Sequence, residues 1–229
     1  MISRLVVVPH PPLLVPELVS GAAADTEPVR SACLDVARDL ASHSPDWVAV
    51  GVDPSGPRTV EGVSGTFRGF GVDVRVSLTA SPGPADPTDD LPLPALIAAW
   101  LRERVGARTV RVHLVPPDLP TSDCVALGRR LAGVPAVLIL GDGSHRHGDL
   151  AVGRPDDRAG PFDEDVREAL ATADTAALRA LDPGTAAELG AAGRAAWQVA
   201  AGIPGPWRCT RSAFQAPFGV GYHFAVWEA

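Results

Sequence analysis

The spacing of apolar residues along this chain switches repeatedly between the periods of a strand and a helix. Leu5-Val6-Val7-Val8 is a continuous β-branched run within Arg4 to Pro9, the pattern of a strand buried on both faces. From Thr26 to Ser42 the apolar positions Val29, Cys33, Val36, Ala37 and Leu40 fall at helical spacing. Trp47 to Val52 is apolar again and ends in Asp53-Pro54-Ser55-Gly56-Pro57, a turn signal. Val72 to Leu78 alternates with period two and predicts a half-exposed strand at a sheet edge. Ser81 to Asp90, rich in proline and aspartate, is a loop. A helix over Leu93 to Val105 and a strand over Thr109 to Val115 follow. Ser122 is placed to cap a helix running to Leu131, and Pro135 to Leu140 reads as a further buried strand.

The last third has a different texture. Gly148 to Pro161 is polar and aperiodic. From Phe162 the chain is alanine-rich and predicts three helical pieces, broken at Asp174 and at Asp182-Pro183-Gly184. Gly219 to Trp227 alternates Val220, Tyr222, Phe224 and Val226 as a closing strand. With no internal repeat and no linker, residues 1–229 read as a single α/β domain. Three layers are expected: a mostly parallel central sheet with helices on both faces.

Composition narrows the function classes. The 229 residues carry a formal net charge of -7, with 20 basic residues, all arginine. Without lysine there is no Schiff-base or P-loop lysine chemistry. Without a basic cluster, nucleic acid is not the expected partner. Cys33, Cys124 and Cys209 are isolated, which supports neither a disulfide framework nor a zinc ribbon, and reads as small core residues. No apolar run is long enough to span a bilayer, and the start lacks a signal peptide's basic and apolar regions. A cytoplasmic location without membrane association is expected. The alanine-rich helices around Ala191 to Ala201 offer a face for a homodimer.

Histidines at strand ends are the candidate chemistry. His10 lies between prolines after the first strand, and His145 follows Leu140 in Gly141-Asp142-Gly143-Ser144-His145-Arg146-His147. Open α/β sheets keep their ligand sites at this edge. Glu188, the one acid in a helix of small residues, supplies a carboxylate; two imidazoles and a carboxylate suit Fe(II), Zn or Mn. Arg146 is placed to hold an anionic substrate, and His147 stands two residues from His145. His43, His113, His223, Trp197, Trp207 and Trp227 read as structural residues.

Val8-Pro9-His10-Pro11-Pro12-Leu13-Leu14, Pro45 to Val50, Gly141 to Arg146, Phe162-Asp163, Glu188 to Gly193 and Gly219 to Tyr222 occur in an order spanning nearly the whole chain. In this the chain resembles the class III extradiol ring-cleavage dioxygenase catalytic-subunit superfamily, which includes the Memo-like proteins. The resemblance implies a non-haem metal oxidoreductase acting on a small aromatic diol. Its metal, Fe(II) in the family and Mn or Zn as alternatives, would be held by His10 and Glu188. His145 would be the acid/base, with Arg146 and His147 near the substrate. The family's second histidine ligand is replaced here by Asp53, in Gly51-Val52-Asp53-Pro54-Ser55-Gly56. Asp53 as an oxygen ligand makes a harder site than two histidines would. The alternatives are therefore a Memo-like binding protein without catalytic iron, or a Zn or Mn hydrolase on the same fold.

Overall fold

The computed structural model describes residues 3–19, 21, 23–83 and 86–229. Two positions of the Ser81 to Asp90 loop, 84 and 85, lie outside the described residues. In chain order the first half contains β1 (Arg4–Val8), α1 (Ala23–His43), β2 (Asp46–Val52), β3 (Arg58–Val60), β4 (Ser64–Thr66), β5 (Arg75–Ser77), α2 (Leu93–Val105), β6 (Thr109–Val115), α3 (Thr121–Arg130) and β7 (Ala136–Leu140). The second half contains α4 (Ala159–Thr172), α5 (Thr175–Ala180), α6 (Pro183–Leu189), α7 (Arg194–Ala200), β8 (Arg208–Gln215) and β9 (Tyr222–Glu228).

The four apolar strands pair in parallel because each needs cover on both faces. β6, β2, β7 and β1 are adjacent and parallel, with Val8 opposite Leu140 and Val48 opposite Val137. Antiparallel strands complete the seven-stranded order β3-β6-β2-β7-β1-β9-β8. Alternation along β1 divides the interior in two. Val6 and Val8 enter a core with α1 and α2, whereas Leu5 and Val7 enter one with α3 to α7. The result is the expected three-layer α/β arrangement. Its largest fully buried side chains include Trp47, Trp100, Trp197 and Trp227, so the tryptophans anchor both cores.

Several elements differ from expectation. Val72 to Leu78 supplies only the short β5, which pairs with β4 in a separate two-stranded sheet and not at the main sheet's edge. The helix after β6 starts two residues early, behind Pro120, and no side chain caps it; Ser122 lies inside its first turn. The alanine-rich region forms four helices. The two predicted breaks are real: Asp174 accepts from the amides of Ala176 and Ala177 at 2.9 and 3.0 Å, and Asp182 from that of Thr185 at 2.7 Å. A third break falls after Gly190, whose φ of 65° ends α6 in the left-handed region that glycine tolerates. β8 had no apolar alternation to reveal it, because it is an exposed edge strand held by β9 alone. The face expected to form a homodimer is also not a surface: Ala195, Ala196, Trp197, Val199, Ala200 and Ala201 are all buried in the second core of this one chain.

Candidate functional site

Parallel strands end together, so the loops after β1, β2, β6 and β7 meet at one rim of the sheet. β9 runs the opposite way and starts there, which brings Tyr222 and His223 to the same rim. The backbone joins these ends: the Gly141 amide donates to the Val8 carbonyl at 3.1 Å, and the Gly143 amide to that of Gly221 at 2.7 Å.

On the α1 side, Pro9 and Pro11 hold His10 at the rim, 5% exposed. Its amide donates to Asp142 Oδ1 at 2.8 Å, while its ring Nδ1 lies 3.8 Å from the same oxygen and has no hydrogen-bond partner. Asp142 is the carboxylate of this corner. Burial first, and then its negative charge, push up the pKa of the Tyr222 hydroxyl and of the Cys33 thiol, so both stay neutral.

On the other side lies a fully buried carboxylate, Asp163 of α4, 0% exposed. Its Oδ2 accepts from the Ser144 amide at 3.0 Å and meets His147 Nε2 at 2.6 Å; its Oδ1 meets His223 Nε2 at 2.9 Å. Glycine makes the seat possible: a Cβ on Gly143 would fall 2.4 Å from Oδ1, and one on Gly221 2.3 Å from Oδ2. A carboxylate that accepts from both imidazoles fixes the orientation of each ring through an Nε2–H donor. His223 is enclosed, with Phe214 at 4.8 Å and Trp197 edge-on at 5.4 Å. His147 keeps 18% of its side chain exposed and is the open end of the network.

His145 lies between these groups in the chain. Its amide donates to the Leu189 carbonyl at 3.2 Å, and its ring rests on Gly190, where a Cβ would fall 2.1 Å from Nε2. Burial, and then the adjacent Arg146, push its pKa down, so the ring is neutral at neutral pH. Arg146 places Nη1 on the Arg154 carbonyl at 3.0 Å and leaves Nε buried without a partner.

Of the three residues expected around a metal, His10 stays at the rim with Nδ1 unpartnered, while Glu188 and Asp53 are engaged elsewhere. Glu188 is 63% exposed at its side chain and pairs with Arg158 at 2.7 Å. Asp53 Oδ1 accepts from the Ser55 amide at 2.9 Å and from the Ser55 hydroxyl. Among the described residues no three histidine, cysteine or acidic side chains are arranged to hold a metal ion. His10 lies beside Asp142, while Glu188 and Asp53 are turned to Arg158 and Ser55. The structure instead assembles Asp163 and His223, neither of which was a candidate, around His147. One signal for them was available: two Gly-x-Gly strand ends, 141–143 and 219–221, each flanking a position that a carboxylate must approach.

Among the described residues no helix is long and apolar enough to cross a membrane. No family model matches the chain, and no curated protein matches it. Among solved structures, an uncharacterized protein from Escherichia coli K12 aligns over 99% of this chain and 99% of its own, at 10% identity and a TM-score of 0.47.

Proposed function

We propose that this chain is an extradiol-dioxygenase-like protein that binds a small aromatic diol at the carboxyl rim of its sheet and moves a proton from it by histidine chemistry. The observation that carries the reading is the buried Asp163 carboxylate shared by His147 and His223, with one imidazole open to solvent. A carboxylate-held imidazole is an oriented proton acceptor, because its ring angle is set in advance. His145 is kept neutral by burial and by Arg146, so its lone pair is available at neutral pH, and the Arg146 charge favours the phenolate that deprotonation leaves. Unsatisfied polar atoms support the same rim: among the described residues, of six buried side-chain nitrogens without a partner, four belong to His10, Arg146, Trp197 and His223. Buried polar groups of this kind are ready partners for a hydroxylated ligand. The free cysteines fit action in the cytoplasm.

A second reading, binding without turnover, is favoured by the engagement of Glu188 and Asp53 with Arg158 and Ser55. One experiment bears on both. 4-Nitrocatechol, whose absorbance reports its ionisation, is titrated with protein in mildly acidic buffer where the free probe is largely protonated. Ionisation of the bound probe, lost in His145→Gln and in Asp163→Asn, supports proton transfer. Binding without an absorbance change supports the binding reading, and no binding at saturating protein rejects both.

A further inference from the structure

Among the described residues three arginines are buried, and one of them has no acid in direct contact. Arg30 pairs with Glu27 at 2.5 Å and Arg102 with Glu103 at 3.2 Å. Arg194, 2% exposed at the start of α7, forms no ion pair among the described residues. Its guanidinium meets only neutral oxygens: Nη1 donates to the Leu119 carbonyl at 2.7 Å and to Gln198 Oε1 at 3.0 Å, and Nη2 to the Pro117 carbonyl. Those three bonds use three of the five N–H groups of a guanidinium, which leaves Nε–H and one Nη2–H. Gln198 is a neutral amide, and its Nε2 donates to the carbonyls of Arg179 and Leu181. Among the described residues the only carboxylate that Arg194 is seen to influence is the exposed Asp182, whose pKa it lowers as the smallest of several causes. The buried charge therefore has no contacting counter-charge, an arrangement costly to a fold.

Arg194 also lines a cavity. A pocket of about 540 Å³ opens between α6, α7 and the turn after β6, a volume that suits a small organic ligand. Apart from Arg194 and Asp118 its walls are small and apolar, with Pro117, Pro183, Ala187 and Ala191 among them. Asp118 is exposed, so it disfavours negative charge at the mouth and not at the base. We propose that this pocket binds a small organic carboxylate with an apolar body, its carboxylate paired with Arg194 and its body against the alanine wall. A carboxylate supplies a contacting counter-charge and accepts from the two free guanidinium donors. Gly190 belongs both to this pocket and to the wall behind His145, but the proposal uses no group of the Asp163 network and stands independently of the proton-transfer reading.

The test is titration of the full chain with benzoate and with benzyl alcohol, followed by calorimetry and ligand-detected NMR. The expected result is benzoate binding that is about tenfold or more tighter than the alcohol and is lost to a similar degree in Arg194→Gln. Ala187→Trp fills the pocket from an exposed helical position without touching the guanidinium, and is expected to abolish binding in a folded protein. If Arg194→Gln does not fold, Ala187→Trp decides alone. Benzoate binding no tighter than benzyl alcohol, or unchanged in Ala187→Trp, overturns the proposal.

Discussion

At the scale of single residues, the site is governed by which polar atoms are forced together out of water. Asp163 survives full burial because three N–H groups converge on it and two glycines leave it room. Gly221→Ala would put a methyl group 2.3 Å from Oδ2, closer than any contact can be. Since the carboxylate is held by β9, the β7 loop and α4 together, it has nowhere to retreat. The expected cost is about 2–3 kcal/mol of stability, read from the urea midpoint. An alanine variant as stable as the native protein would mean that the carboxylate is not seated as described. A second residue-scale prediction concerns His145, whose pKa is held down by burial and then by Arg146. Removing the positive charge in Arg146→Gln relieves the repulsion of the imidazolium, so the titration midpoint of His145 should rise. NMR titration of the ring resonances measures this, and a midpoint that stays or falls would contradict the arrangement.

Elements tell how this site is held in place. α5 and α6 are six and seven residues long, too short to persist without their caps and their packing. Asp174 satisfies two amides of α5 and Asp182 one amide of α6, and α6 delivers Gly190 to the back of His145. Asp174→Ala should cost about 1 kcal/mol of global stability and speed amide exchange in α5. Unchanged exchange at Ala176 and Ala177 would show that packing alone suffices. Both caps could be read from the chain, because an aspartate before a helical run is a local signal. So could the four parallel strands, whose apolar runs announce burial on both faces. β8 could not, since its residues Arg208 to Gln215 have no pattern of their own and become a strand only by pairing with β9. The short β5 shows the converse: the alternation from Val72 to Leu78 is genuine, but its partner is β4 and not the main sheet.

For the whole molecule, the balance of perturbed groups sets the pH range of stability. His113 and His145 have folded pKa values below their ordinary 6.5, in both cases chiefly through burial. The unfolded chain therefore takes up their protons first, and stability falls as pH drops below about 6.5. Asp46 and Asp182, lowered mainly by hydrogen bonds from Arg108 and from Thr185, add a second loss as pH falls below the ordinary carboxylate range. At the other end, burial raises Cys33 well above 9.0 and Cys124 to about 11. The unfolded thiols ionise first, so stability is lost as pH rises past about 9. Urea midpoints measured across the pH range should be highest between about 7 and 8.5 and fall on both sides. A midpoint that climbs between pH 7 and 5 would contradict these burials.

By itself the chain determined its class, the order of its main elements and the rim where its histidines gather, because each follows from local periodicity, turn chemistry and the direction of parallel strands. Tertiary structure alone decided which residues meet. Glu188 reads as a specific carboxylate in a helix of small residues, yet its side chain is exposed and pairs with Arg158. Asp163 reads as an ordinary acid near a helix start, yet it is the buried centre of the site because α4 packs where β7 and β9 end. The alanine run that suggests an interface becomes interior because α7 is covered by its own chain. Periodicity states that a face will be covered, but not by what. Partners that are 60 residues apart, as Asp163 and His223 are, are set by the packing of the whole chain.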